Sequence, residues 1–139
     1  MNRFILLPAF APLLIAASSP ASLDVTVTGI KHMRGTVIAC VWRGKPGFPT
    51  CQKSKNAIRQ TLNISGGTMQ VRFHGLTPGA YAVSVQHDED GDGQLKTNFI
   101  GMPKEGVGIS NNPGGIPSFG KSLVQVGTAT AISIAMRYL

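Results

Sequence analysis

A chain of 139 residues, 42% of them hydrophobic, is long enough for one domain with a true core. It is basic, with 13 Lys and Arg against 6 Asp and Glu and a formal charge of +7. The basic residues Lys31, Arg34, Arg43, Lys45, Lys53, Lys55, Arg59 and Arg72 are scattered and have no interleaved aromatic platform. That argues against a nucleic-acid partner and leaves anionic polymers, phosphate head groups and envelope polysaccharides as what such a charge attracts.

The amino terminus has the tripartite form of a secretory signal peptide. Arg3 gives a positive start, Phe4 to Ala17 is apolar apart from Pro8 and Pro12, and Ser18, Ser19, Pro20 and Ala21 are small. Cleavage is expected after Ala21, with Ala17 as a second possible boundary, so that 1–21 is signal and 22–139 is the domain. A retained anchor is the alternative, but the uninterrupted apolar run falls short of the about 20 residues a spanning helix needs. No other segment could span a membrane, so the expected location is secreted or periplasmic.

Cys40 and Cys51 are the only cysteines. An even count in an exported chain points to a disulfide, the alternative being two buried thiols. The intervening Trp42, Gly44, Pro46, Gly47 and Pro49 read as irregular backbone that a bridge would pin to the strand carrying Cys40. The spacing excludes a redox-active Cys-x-x-Cys.

From there on the periodicity is mostly two. Leu23, Val25 and Val27 alternate with polar residues, as do Met69, Val71 and Phe73; Tyr81, Val83 and Val85 alternate with Ala82, Ser84 and Gln86, and Ile132, Ile134 and Met136 with Ser133, Ala135 and Arg137. In Val37–Trp42 both alternating sets are apolar, which predicts a strand buried on both faces. Ile58, Thr61, Leu62 and Ile64 suggest a weaker strand or a turn leading into one, and Val124 and Val126 a late strand. About seven short strands between Gly and Pro turns predict a single all-β sandwich. Residues 110–120 read as a long loop. Gly75-Leu76-Thr77-Pro78-Gly79-Ala80-Tyr81 resembles the corner of immunoglobulin-like sandwiches, with Pro78-Gly79 suited to a type II turn and the Tyr81 hydroxyl expected to bond back upstream.

The strand ending at Gln86 leads into His87-Asp88-Glu89-Asp90-Gly91-Asp92-Gly93-Gln94-Leu95, which holds four of the six acidic residues. Asp88, Asp90 and Asp92 alternate and then meet Gly93, the opening of a calcium-loop pattern in which Gln94 would offer its carbonyl. Phe99 stands where the bidentate glutamate should be, and the flanking helices are missing, so the segment is not an EF-hand. Glu105 is the one nearby acid that chain reversal could bring in, and Asn98, Asn111 and Asn112 could add carbonyl oxygens. Such hard ligands favour calcium over zinc. The plain alternative is a solvated Asp/Gly turn. His32, His74 and His87 lack zinc spacing; His87 is placed to pair with Asp88, and His74 falls on a polar face. No nucleophile elbow or phosphate loop is present.

The run from His87 to Asn112, including Gly101-Met102-Pro103-Lys104-Glu105-Gly106-Val107-Gly108-Ile109-Ser110-Asn111-Asn112, resembles the bacterial exported domain of unknown function 2141. Phe48-Pro49 and the Gly75–Tyr81 corner belong to the same resemblance, which extends from about Leu23 to the carboxyl end. It implies a transthyretin-like or immunoglobulin-like sandwich and no established activity. Lys96 replaces a frequent acid and Val107 a usual aromatic, and Cys40 and Cys51 look particular to a subset.

The expected function is therefore an envelope binding or accessory module, without catalysis, whose acidic loop is ordered by calcium. Its expected partner is an envelope protein or an anionic polysaccharide. A purely structural module, with the loop held by hydrogen bonds and by Lys96 or Lys104, is the second reading. A glycan hydrolase using Asp88 and Glu105 is the third.

Overall fold

Alternating side chains sort the strands into two packed sheets. The computed structural model describes residues 5, 7–15, 19–94 and 105–138, and among these it holds eight strands and no α-helix. They are β1 (Ala21–Thr28), β2 (Thr36–Trp42), β3 (Ile58–Asn63), β4 (Met69–Leu76), β5 (Gly79–Asp88), β6 (Val107–Ile109), β7 (Val124–Val126) and β8 (Thr130–Ala135). One sheet runs β4-β1-β8, and the other runs β3-β2-β5-β6. Beyond β6, the first residues of β5 pair instead with β7. The expected β-sandwich is what forms. The added strand β6 lies within a segment whose glycines mask any periodicity.

The core lies between the sheets. Leu23, Val25 and Val27 of β1 meet Met69, Val71 and Phe73 of β4, Val37, Ala39 and Val41 of β2, and Tyr81, Val83 and Val85 of β5. The other face of β2 is buried too, as the doubly apolar sequence predicts. Ile38, Cys40 and Trp42 pack with Cys51, Ala82, Phe48 and Phe119 into a second cluster. Its cover is the 43–57 segment, tied down by the Cys40–Cys51 disulfide and by edge-on contacts of Phe48 with Trp42 and Phe119. Phe48-Pro49 is a cis peptide.

Tyr81 makes the predicted corner, its hydroxyl donating to Thr77 O at 2.5 Å. The turn before it departs from expectation. Gly79 has φ of 156°, far from the roughly +80° a type II turn requires. The left-handed residue is Gly75, with φ of 67°, at the end of β4.

Two hydrogen-bonded seams close the sandwich. On one side Gln60 of β3 donates to Arg72 O of β4 at 2.5 Å. On the other, Val107 of β6 and Arg137 exchange both backbone bonds at 2.9 Å. The long strand β5 is thereby central, and its carboxyl end delivers the acidic loop to one end of the molecule. Strand β1 begins at Ala21, which is buried and paired with Leu76, one residue ahead of the expected domain boundary.

Candidate metal centre

Register brings the distal acid to the loop. β5 and β6 run antiparallel with Gln86 opposite Val107, and His87 N donates to Gly106 O at 2.8 Å. One step further, Glu105 lies alongside Asp88 and Glu89, and Glu89 N donates to Glu105 Oε2 at 2.7 Å. Chain reversal through a β-ladder thus supplies the acid that local spacing lacks at Phe99. Gly35, at φ 77°, lets the start of β2 abut Asp88, since a Cβ there would fall 1.8 Å from Asp88 O.

Asp88, Asp90, Asp92 and Glu105 each place one carboxylate oxygen within 4.8 Å of the others. Asp88 and Glu105 are buried, at 2% and 6% exposure, while Asp90 and Asp92 face solvent. Backbone donors shape the loop. Gly93 N donates to Asp88 Oδ2 at 2.7 Å, Asp92 N to Asp90 Oδ1 at 3.3 Å, and Gln94 N to Asp92 Oδ1 at 2.9 Å. Gly91 and Gly93 take left-handed φ of 74° and 75°, which permits the tight reversal.

These donors leave Asp88 Oδ1 buried and without a hydrogen-bond partner. Burial pushes the Asp88 carboxyl above its usual range; the Gly93 N–H opposes this, and a side-chain hydrogen bond with Asp90 and the charges of Asp92 and Asp90 add to it. At an effective dielectric near 20, two ionised carboxylates at this separation repel by on the order of 3 kcal/mol, and by less where they are exposed. Oxygen-only donors of this kind suit a cation of the calcium class, which takes six to eight oxygens in flexible geometry. Asp88, Asp90, Asp92 and Glu105 are the side chains that fit that role, with the Gln94 backbone within the same turn.

Other expected site residues go elsewhere. Asn111 and Asn112 adopt left-handed φ of 66° and 45° and spend their amides on structure. Asn111 Nδ2 donates to Lys121 O and Leu123 O, and Asn112 accepts from Ala135 N at 2.8 Å while donating to Ser133 O. They fasten β6 to its neighbours and supply nothing to the carboxylates. Asn98, Lys96 and Lys104 lie outside the described residues.

His87 does not pair with Asp88. Successive strand residues point to opposite faces, so Asp88 follows Ala82, Ser84 and Gln86 outward while His87 follows Val83 and Val85 inward. His87 is fully buried, with Nε2 2.7 Å from Arg34 O and Nδ1 2.8 Å from the Tyr138 hydroxyl. A carbonyl only accepts, so Nε2 carries the proton and Nδ1 accepts from Tyr138. Lys31 N donates to the same hydroxyl at 3.0 Å. Burial raises the Tyr138 phenol above its usual range; the Lys31 N–H opposes the shift, and Glu89 adds to it.

His32 completes this second group. Its Nδ1 accepts from Arg34 N at 3.3 Å, so Nε2 donates to Glu89 Oε1 at 2.6 Å. With both His32 nitrogens so committed, the His32, His87 and Glu89 trio reads as a clasp on the 31–34 turn. Sequence reasoning missed it. The available signal was the alternation itself, which puts His87 on the core face.

The chain matches the family model described as "Uncharacterized protein conserved in bacteria (DUF2141)" over residues 25–133. The chain belongs to the DUF2141 family. That match spans both sheets and every described member of the acidic cluster of this DUF2141 protein. No curated protein and no solved structure matches it significantly.

Proposed function

We propose that this DUF2141 protein is an exported binding or accessory module of the bacterial envelope whose 88–94 loop is ordered by a divalent cation of the calcium class. The observation that carries the reading is Asp88 Oδ1, a buried carboxylate oxygen without a partner, set among three further carboxylates. Leaving such a group unmet costs free energy that a bound cation offsets. Asp88 and Glu105 would hold the ion from the buried side. The exposed Asp90 and Asp92 would close over it from solvent and leave room for water or a ligand oxygen.

Export draws support from two features. Ile5, Leu7, Phe10, Leu13, Leu14 and Ile15 are all exposed, as suits a leader that is removed. The Cys40–Cys51 disulfide suits an oxidising compartment. Among the described residues no helix is long and apolar enough to cross a membrane. Catalysis is not part of the proposal.

The test is a thermal melt of chelator-stripped protein against calcium. At a hundredfold excess over Kd a bound ion adds about 2.7 kcal/mol, or roughly 10 °C in Tm for a domain of this size. Superimposable melts, with no heat on calorimetric titration, would leave the purely structural module. That second reading is favoured by the loop's own N–H to carboxylate bonds, which hold the turn together.

A further inference from the structure

We infer that the cavity on the seam between β6 and residues 135–138 binds a small apolar carboxylate, a short hydrocarbon body ending in one anionic group. The inference is separate from the cation reading. Ser84 and Gln86 face outward from β5, so their ladder partners Ile109 and Val107 do too. Two large apolar side chains thus lie on the outer face of the sandwich. Neither belongs to the core between the sheets or to the cluster around Trp42, although Ile109 is buried. Together with Pro113 and Pro117 of the following loop, and with Ala135 and Arg137, they line a cavity of about 230 Å³.

The walls are fixed before any ligand arrives. Asn112 holds Ala135 N and Ser133 O, Asn111 holds Lys121 O and Leu123 O, and Val107 exchanges backbone bonds with Arg137. Gly106 lets the Tyr138 ring pack against the backbone as a further wall, since a Cβ there would fall 2.3 Å from it. Preformed, mostly apolar hollows of this kind are where small ligands bind. Ile116, between the lining residues Gly115 and Pro117, is 78% exposed, more than any other large hydrophobic side chain described beyond residue 21. It adds apolar surface beside the cavity.

The polar lining specifies the rest of the ligand. The Asn112 amide is spent on β8, and the Tyr138 hydroxyl on His87 and Lys31 N. The Glu105 carboxylate is engaged by Glu89 N and by the acidic cluster. Arg137 is exposed and makes no ion pair with a described residue; its side chain gives one long bond, from Nη2 to Asn112 O at 3.4 Å. The guanidinium therefore keeps donors for a carboxylate. A sugar would find few partners on such walls, and a neutral hydrocarbon would leave Arg137 unmet. At roughly 30 Å³ per non-hydrogen atom, the share a water takes in its liquid, the cavity holds about eight such atoms. The occupant is thus a short acid and not a full lipid tail.

The experiment titrates the protein with octanoate, hexanoate, octan-1-ol and acetate, followed by calorimetry and amide chemical shifts. Saturating calcium is present, to offset the Glu105 charge. Octanoate is expected to bind saturably, on the order of tenfold tighter than hexanoate for two buried methylenes, and roughly threefold tighter than octan-1-ol, the scale of an exposed ion pair. Added salt should erase the second margin and spare the first. Arg137→Gln should bind octanoate and octan-1-ol alike, with its octan-1-ol affinity unchanged. Ala135→Phe fills the cavity and should abolish both. Wild-type shifts should move at Val107, Ile109, Ala135 and Arg137, a readout that needs no variant. No binding, equal affinity for acetate, an Arg137→Gln protein that still favours octanoate over octan-1-ol, or shifts confined elsewhere would each overturn the inference. Shifts at these residues that follow protein concentration without octanoate would overturn it too, and assign the cavity to a second copy of the chain. A flat calcium titration beside intact octanoate binding would remove the metal centre and leave the cavity.

Discussion

Asp88 is where the chemistry of the chain concentrates, because one oxygen accepts from Gly93 N–H, the other is buried without an N–H donor, and the side chain is close enough to Asp90 to share a proton with it. Its carboxyl sits above the usual range, with burial the first cause. A raised acid holds its proton more tightly folded than unfolded. The penalty for ionising it is therefore absent below the ordinary carboxylate pKa of 3.8, grows as pH rises toward the folded value, and is complete above it. Cation-free protein should lose stability as pH climbs through that window, and calcium should remove the loss; melts at acid and neutral pH with and without chelator read this directly. Asp88→Asn keeps an oxygen for Gly93 N–H and puts an amide donor where the unmet oxygen stood. The variant should gain about 1 kcal/mol without calcium, roughly 4 °C in Tm, and lose most of its response to the ion. An Asp88→Asn protein that is less stable than wild type under chelator, yet still calcium-responsive, would refute this account of the residue.

At the level of elements, the disulfide segment and the acidic loop act on each other through one side chain. Cys51 opens the short 3-10 turn Cys51–Lys53, so the bridge to Cys40 fixes Gln52, and Gln52 holds Gly93 O while Gly93 N holds Asp88. Replacing both cysteines with alanine should cost about 3 kcal/mol for a loop of this length and should also weaken calcium several-fold. Linkage is reciprocal, so calcium should shift the equilibrium with dithiothreitol toward the bridged form. Equal calcium affinities for the native and alanine proteins would separate the two elements. Much of this level was legible beforehand. The clean alternation of Leu23–Val27, Met69–Phe73 and Tyr81–Val85 gave strands, and the doubly apolar Val37–Trp42 announced a covering layer. Strand β6 was not legible, because Val107-Gly108-Ile109 is three residues long and its central glycine is dictated by contact. A Cβ on Gly108 would meet Ile134 at 2.6 Å. Glu105 as a partner of Asp88 was suggested by elimination, and only the β5–β6 register supplied the reason.

For the whole molecule, pairing order was beyond reach of the sequence, since every strand alternates alike and nothing local says that β1 lies between β4 and a parallel β8. That order bears on where the proposed leader would be cut. β1 is a central strand, and its first residue, Ala21, is 1% exposed, paired with Leu76, and part of the core. Ser22 N donates to Gly127 O at 3.2 Å, and its hydroxyl donates to Thr128 O at 3.0 Å. Cleavage after Ala21 would remove a buried side chain and set a charged amino group on Ser22, at the end of the central strand. Cleavage at the Ala17 boundary would leave both residues paired and a short polar tail in solvent. If the proposed leader is removed, the product is therefore expected to begin upstream of Ala21, and intact-mass measurement with amino-terminal sequencing decides it. A chain beginning at Ser22, with a Tm equal to that of a version retaining 18–21, would mean that the first β1–β4 pair contributes nothing to the sandwich.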